Sequence, residues 1–177
     1  MNENDARHLM QLASLESVAK KMGFKTELSK IDEKHEFSTL YVQVEADHME
    51  RNRIFVINFF PASSQLENTD LLQFYLQFPF QKPENATKDF YDLMAHINRV
   101  LPLGHFNYSV EDNSLYFRHV NSLPAFENID EEKMAETVLL LTYASLLFEE
   151  SLEKVIQGRC NYNEAIIEIQ NKQNRIS

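Results

Sequence analysis

The sequence predicts an α+β domain. An antiparallel sheet, made of a four-strand meander plus a C-terminal hairpin, packs against helices. Three observations carry this expectation. Apolar residues recur at helical spacing in some segments and at alternate positions in others, in the order helix, four strands, helix, two strands, helix, helix. The strand-like runs are joined by short, turn-rich connections with no long crossover, which antiparallel pairing allows and parallel pairing does not. Apolar residues make up 44% of the 177, with 13 Phe and 7 Tyr, enough to build a core and exclude a disordered chain. The whole chain, 1–177, reads as one domain, with its core in about residues 5–157 and a short extra helix at 163–171. No internal repeat or low-complexity tract divides it.

The first helix is expected over residues 5–22. Leu9, Leu12, Leu15 and Met22 lie along one side, Asn4 or Asp5 caps the start, and Gly23 stands where a left-handed C-terminal cap belongs. Four strands follow. Phe24 to Leu28 is short. Phe37 to Ala46 alternates, with Leu40, Val42 and Val44 on one face. Arg53 to Phe60 is apolar at successive positions, the pattern of a central strand covered on both faces. Leu71 to Phe80 alternates most clearly, with Leu72, Phe74, Leu76, Phe78 and Phe80 facing one way and Gln73, Tyr75 and Gln77 the other. A second helix is expected over 87–101, capped by Thr87 and lined by Phe90, Leu93, Met94, Ile97 and Leu101. His105–Val110 and Leu115–Val120 then form a hairpin. A two-residue turn at Asp112-Asn113 would set Phe106, Tyr108 and Val110 opposite His119, Phe117 and Leu115. The longest helix, 130–157, starts at a capping Asp130 with Glu131 and Glu132 at its positive end. Its middle turns are apolar beyond one stripe, as for a helix buried on more than one side.

Composition excludes several function classes. The three glycines, Gly23, Gly104 and Gly158, all fall near expected helix ends, so none is left for a phosphate-cradling loop or a dinucleotide fingerprint. A formal net charge of −10 argues against nucleic acid, whose binders need basic patches to displace counterions. Residues 31–157 carry −12 and both ends are slightly basic. An acidic surface of this kind selects basic partner segments. The longest apolar run, Val138–Phe148, is about half of the ~20 residues that span a bilayer. The N-terminus lacks the basic-then-apolar run of a signal peptide, and Cys160 has no second cysteine to pair with. A cytoplasmic protein, away from membrane and nucleic acid, is the expectation.

Residue chemistry points to no catalytic site, and no cofactor or metal is expected. Asp47, His48 and Glu50 cluster in one connection, but three such residues in a polar turn are ordinarily solvated. His8, His35, His96, His105 and His119 show no paired metal-ligand spacing, and His119 reads as a satisfied histidine on an apolar strand face. Ser63 and Ser64 sit in no nucleophile elbow. Cys160 follows a helix end in a polar segment and reads as a plain thiol. Glu131-Glu132 and Glu149-Glu150 are adjacent on a helix, so each pair diverges and cannot work across a substrate.

Two sets of residues suggest interaction instead. Tyr41, Gln43, Tyr75 and Gln77 lie on the less apolar strand face, either as cross-strand pairs on a solvated sheet or as a partner-binding surface, since aromatics among polar neighbours are typical of interfaces. Leu139, Leu140, Tyr143 and Leu147 widen the apolar side of the longest helix and are the expected homodimer interface.

Ile97-Asn98, Leu103-Gly104-His105-Phe106, Ser109 to Asp112 and Leu115-Tyr116-Phe117-Arg118, followed by a long acidic-capped helix, resemble the YbjN family of bacterial sensory-transduction regulators. The order of the preceding meander is also similar, so the resemblance spans about residues 5–157. That family is similar in fold to the type III secretion chaperones, small acidic α+β dimers that hold an extended partner segment. The resemblance implies a non-enzymatic protein-binding or regulatory role, with a protein partner or client segment and homodimerisation, and it supplies no catalytic residue. The competing reading is a small-molecule- or metal-binding protein, a hydrolase among them.

Overall fold

A computed structural model describes residues 3–31, 36–60, 66–80 and 88–173. Within them the chain forms α1 (Glu3–Lys21), β1 (Lys25–Ser29), β2 (Thr39–Val44), β3 (Arg53–Phe59), β4 (Thr69–Gln77), α2 (Lys88–Val100), β5 (His105–Ser109), β6 (Ser114–Pro124), α3 (Glu131–Ile156) and α4 (Tyr162–Gln173). The fold is α+β, as the periodicities indicate. All strands are antiparallel, in the order β1-β2-β3-β4-β6-β5. The meander supplies the first four in sequence order, and the hairpin joins through its second strand. The Thr87 cap, Ser63, Ser64 and His35 lie outside the described residues.

One face of the sheet holds the core. Leu40 and Val42 of β2, Phe55 and Ile57 of β3, Leu72, Phe74 and Leu76 of β4 and Phe106 and Phe117 of the hairpin are buried, together with Leu12 and Leu15 of α1 and Leu141 and Leu152 of α3. Alternation along each strand decides this, because successive side chains leave opposite faces. Asp130 caps α3 by accepting a hydrogen bond from the Lys133 amide at 3.1 Å.

Several expectations need correction. Among the described residues β3 is covered on one face only: Phe55, Ile57 and Phe59 are buried, whereas Ile54 is 43% exposed and Val56 and Asn58 are half-buried. An apolar run thus marked an interior position in the hydrogen-bond ladder rather than burial on two sides. The hairpin pairs Phe106 with Phe117, Tyr108 with Leu115 and Ser109 with Ser114. The turn is therefore four residues, 110–113, closed by the Asp112 amide donating to Ser109 Oγ (3.2 Å) and by Asn113 at φ 54°. Moving the register by two keeps every side chain on its expected face, so Phe106, Tyr108, Leu115 and Phe117 still share one side. Val110, expected among them, is exposed in the turn. β6 runs on to Pro124, four residues past its expected end, because Asn121 to Pro124 continue along β4.

The C-terminal helix is also more than an addition. α4 packs on α2 and α3, and its Ala165 and Ile169 are buried in the same core. Lys172 and Lys154 tie it to Glu150 and Glu168 of the α3–α4 pair. Gly104 is not a helix cap. It enters β5 at φ 68° with its Cα face against the Phe117 ring, where an added Cβ would stand 2.4 Å from a ring carbon.

Candidate interaction surfaces

Among the described residues no helix covers the second face of the sheet. The register draws a continuous row across it: Glu27, Tyr41, Val56, Tyr75, Arg118 and His105, each paired with the next. Beside it Gln43 pairs with Ile54, and Gln77 with Tyr116. The four residues expected on this face are therefore together on it. Tyr41 and Tyr75 flank Val56 rather than each other, and Tyr75 instead meets Tyr116, ring centroids 5.1 Å apart. Burial, with smaller effects from Tyr116 and Asp112, raises the Tyr75 phenol above its ordinary pKa. Arg118 donates to Gln73 at 2.7 Å and stacks its guanidinium over Phe60, and Gln73 donates to Asn58 at 3.3 Å. The face thus combines fixed aromatics with adaptable amides, and it exposes Ile54.

A second surface lies on the outside of α3. Leu139, Leu140 and Tyr143 are 55%, 37% and 47% exposed, a patch one helical turn long. Leu147, expected with them, instead packs against the edge of the core. The middle of α3 is therefore not enclosed on every side: its surplus apolar residues face water.

The connection holding Asp47, His48 and Glu50 departs most from its sequence reading. The turn is solvated at Met49 and Glu50 but not at Asp47. Glu50 points out at φ 61°, while Asp47 is buried and His48 turns onto α3. Asp47 Oδ1 accepts the amides of Met49 and Arg51, both at 2.9 Å, and its Oδ2 takes Arg51 Nε at 2.5 Å. Burial alone would raise the Asp47 pKa; the backbone and side-chain bonds from Arg51 and the amide of Met49 outweigh it and hold the carboxyl low. Arg51 continues to Glu153 with two contacts of 3.0 and 2.5 Å, and His48 Nε2 lies 3.2 Å from Glu153. These bonds to Glu153 raise the Arg51 pKa further.

Beneath this layer Arg53, fully buried, donates to the Glu45 carbonyl (2.8 Å), Ser145 Oγ (3.2 Å) and Glu149 Oε2 (3.2 Å). Desolvation lowers Arg53 and raises Glu149, the two sides of withdrawing one ion pair from water. Asp47, His48 and Glu149 bring ligand atoms within 4.8 Å of one another. They do not fit a divalent cation, because Arg51 and Arg53 already bring positive charge against the same carboxylates and both Asp47 oxygens are taken. The cluster is an electrostatic pin joining the start of β3 to α3. Sequence reading missed Arg53, although its parity with Phe55, Ile57 and Phe59 placed it on the core side.

The remaining candidates are separate. His119 is half-buried beside Phe74, hydrogen-bonded to Asn121 at 2.8 Å, and burial lowers its pKa. Cys160 is partly buried, which pushes its thiol up and away from reactivity. Glu149 and Glu150 diverge, one into the core and the other to Lys154 and Lys172. No helix among the described residues is long and apolar enough to cross a membrane. The chain matches no family model and no curated protein.

Proposed function

We propose that this chain is a cytoplasmic, non-enzymatic protein-interaction module that acts as a homodimer and binds a protein partner or client segment. The observation that carries the reading is the outside of α3. A helix with fourteen buried residues still presents Leu139, Leu140 and Tyr143 to water in a neighbouring group. Such a patch is self-complementary across a twofold axis, where each copy offers the other the same apolar ridge. The open sheet face, with Tyr41, Gln43, Tyr75 and Gln77, supplies a second surface of interface-like composition. The resemblance of the 97–118 segment to the YbjN family supports the same class of role. The acidic charge argues for protein rather than nucleic acid as the partner.

Analytical ultracentrifugation tests the dimer. At micromolar concentration the wild type sediments as a dimer, and Leu139→Glu/Tyr143→Glu as a folded monomer. A monomeric wild type, or a variant that stays dimeric, overturns the α3 interface.

A further inference from the structure

β6 is eleven residues long, but β5 beside it is only five. Their pairing ends at His105 and Arg118, whereas on its other side β6 pairs with β4 as far as Pro124. Among the described residues, 119–124 of β6 therefore have a strand on one edge and none on the other, a vacancy about 20 Å long at the usual rise per residue.

The direction of the backbone groups follows from three contacts. The Phe106 amide donates to Asn98 Oδ1 and its carbonyl accepts from Asn98 Nδ2, both at 2.8 Å. Phe106 thus points its backbone away from β6, and the flanking His105 and Asn107 point theirs toward it, at Arg118 and Tyr116. On the other edge, the Leu115 carbonyl accepts from Phe78 and the Ala125 amide donates to Asn68, each at 3.0 Å, so odd-numbered residues of β6 face β4. Alternation then turns the N–H and C=O of Val120 and Ser122 into the vacancy. The side chain of Asn98 already imitates a strand where β5 has its own free edge, but no side chain does the same for Val120 and Ser122 among the described residues.

A groove of about 680 Å³ opens at this place, between Val120 and the Leu101–Gly104 turn. Its walls carry His105, Arg118 and His119 and no carboxylate. In a chain of net charge −10, Arg118 has no acidic partner among the described residues; it donates only to the neutral Gln73. The rest of the surface favours basic segments, and this groove has the opposite preference.

We propose that the vacancy beside β6 receives an extended, acidic segment of a partner protein, which pairs its backbone with Val120 and Ser122 and sets a carboxylate against Arg118. The proposal rests on the interaction-module reading above and names the chemistry of the segment bound. Main-chain pairing supplies affinity, and the charge of Arg118 selects which segments gain it.

Selection of random linear peptides from a displayed library on the full-length chain tests this. Enriched peptides should be extended and acidic. Val120→Pro removes an N–H that faces only the vacancy, so it should leave the melting temperature unchanged, since proline is tolerated at a strand edge that donates no ladder bond. It should weaken the selected peptides on the order of tenfold, the scale of one lost hydrogen bond. Ser122→Pro repeats the test should Val120→Pro misfold, and Arg118→Gln should weaken acidic peptides but not neutral analogues. Peptides that bind Val120→Pro and wild type equally, or a library that yields none, overturn the proposal. Selected peptides without acidic residues overturn its electrostatic half. The α3 dimer is read separately by sedimentation, so failure here and failure of the module reading are distinguishable.

Discussion

The two faces of the sheet are built from the same strands yet obey different rules. On the helix-covered face, Phe55, Ile57, Leu72, Phe74 and Phe117 are buried, and the one ionic residue among them, Arg53, comes with Ser145, Glu149 and a backbone carbonyl already in place. On the open face, Tyr41, Val56, Tyr75 and Tyr116 are only half-buried, and the polar groups are amides and a guanidinium that water also satisfies. Burial makes the first face intolerant of change. Solvent leaves the second free to take up contacts with something else. A residue's role here follows from its parity along the strand more than from its type.

Neighbouring residues of β4 break this comparison most directly. Phe74→Ala should cost about 3–5 kcal/mol, because it empties a volume that the core cannot refill. Tyr75→Ala, one residue away on the open face, should cost about 1 kcal/mol or less, the worth of a cross-strand aromatic pair. Urea unfolding of the two variants measures both, and equal losses would mean that the open face is covered after all.

The pin sharpens the same contrast within the covered face. Arg53→Met strands Glu149 as an uncompensated buried charge and should cost about 3–5 kcal/mol, whereas Arg53→Met/Glu149→Leu should recover most of that loss. If the double variant is no more stable than the single, Glu149 is not the partner that sets the cost.

The smallest effect concerns the outer helix layer, where ion pairs remain in contact with water. Hydrogen bonds from Lys172 and Lys154 hold Glu150 down at about 2, below its ordinary 4.5. A depressed carboxylate stabilises the fold fully above its unfolded pKa, and that contribution disappears as pH falls through the folded value. Thermal melting should therefore lose stability from about pH 4.5 down toward pH 2. Lys172→Ala should flatten that decline slightly, since half-exposed pairs contribute little. An unchanged profile would mean that the α4 pairing adds nothing to stability.

Much of this architecture was legible in the chain. The alternation of Leu72 to Phe80 fixed both the strand and its buried side, whereas the apolar excess of 130–157 read as burial on more than one side and Leu139, Leu140 and Tyr143 are instead exposed. The Tyr/Gln positions proved to share one face, since residues two apart on a strand must. What was not legible has a common character. The partners Glu149 and Arg53 are 96 positions apart, and no local pattern joins them. Asp47 and His48 looked like solvated turn residues because nothing within the turn shows that α3 will lie over it. The length of β6 was missed because Asn121-Ser122-Leu123-Pro124 has turn-like composition, and only pairing with β4 keeps it extended. The vacancy beside it exists only as the difference between two strand lengths.

The sequence by itself determined the order and type of the elements, the side of each strand that enters the core, and the acidic charge, because these depend on local periodicity and composition. Tertiary structure decided which charges are buried together, which apolar side of α3 stays in water, and how far β6 runs past β5. Those are properties of surfaces that meet, and a surface is covered or open only once residues distant in the chain have been brought against it.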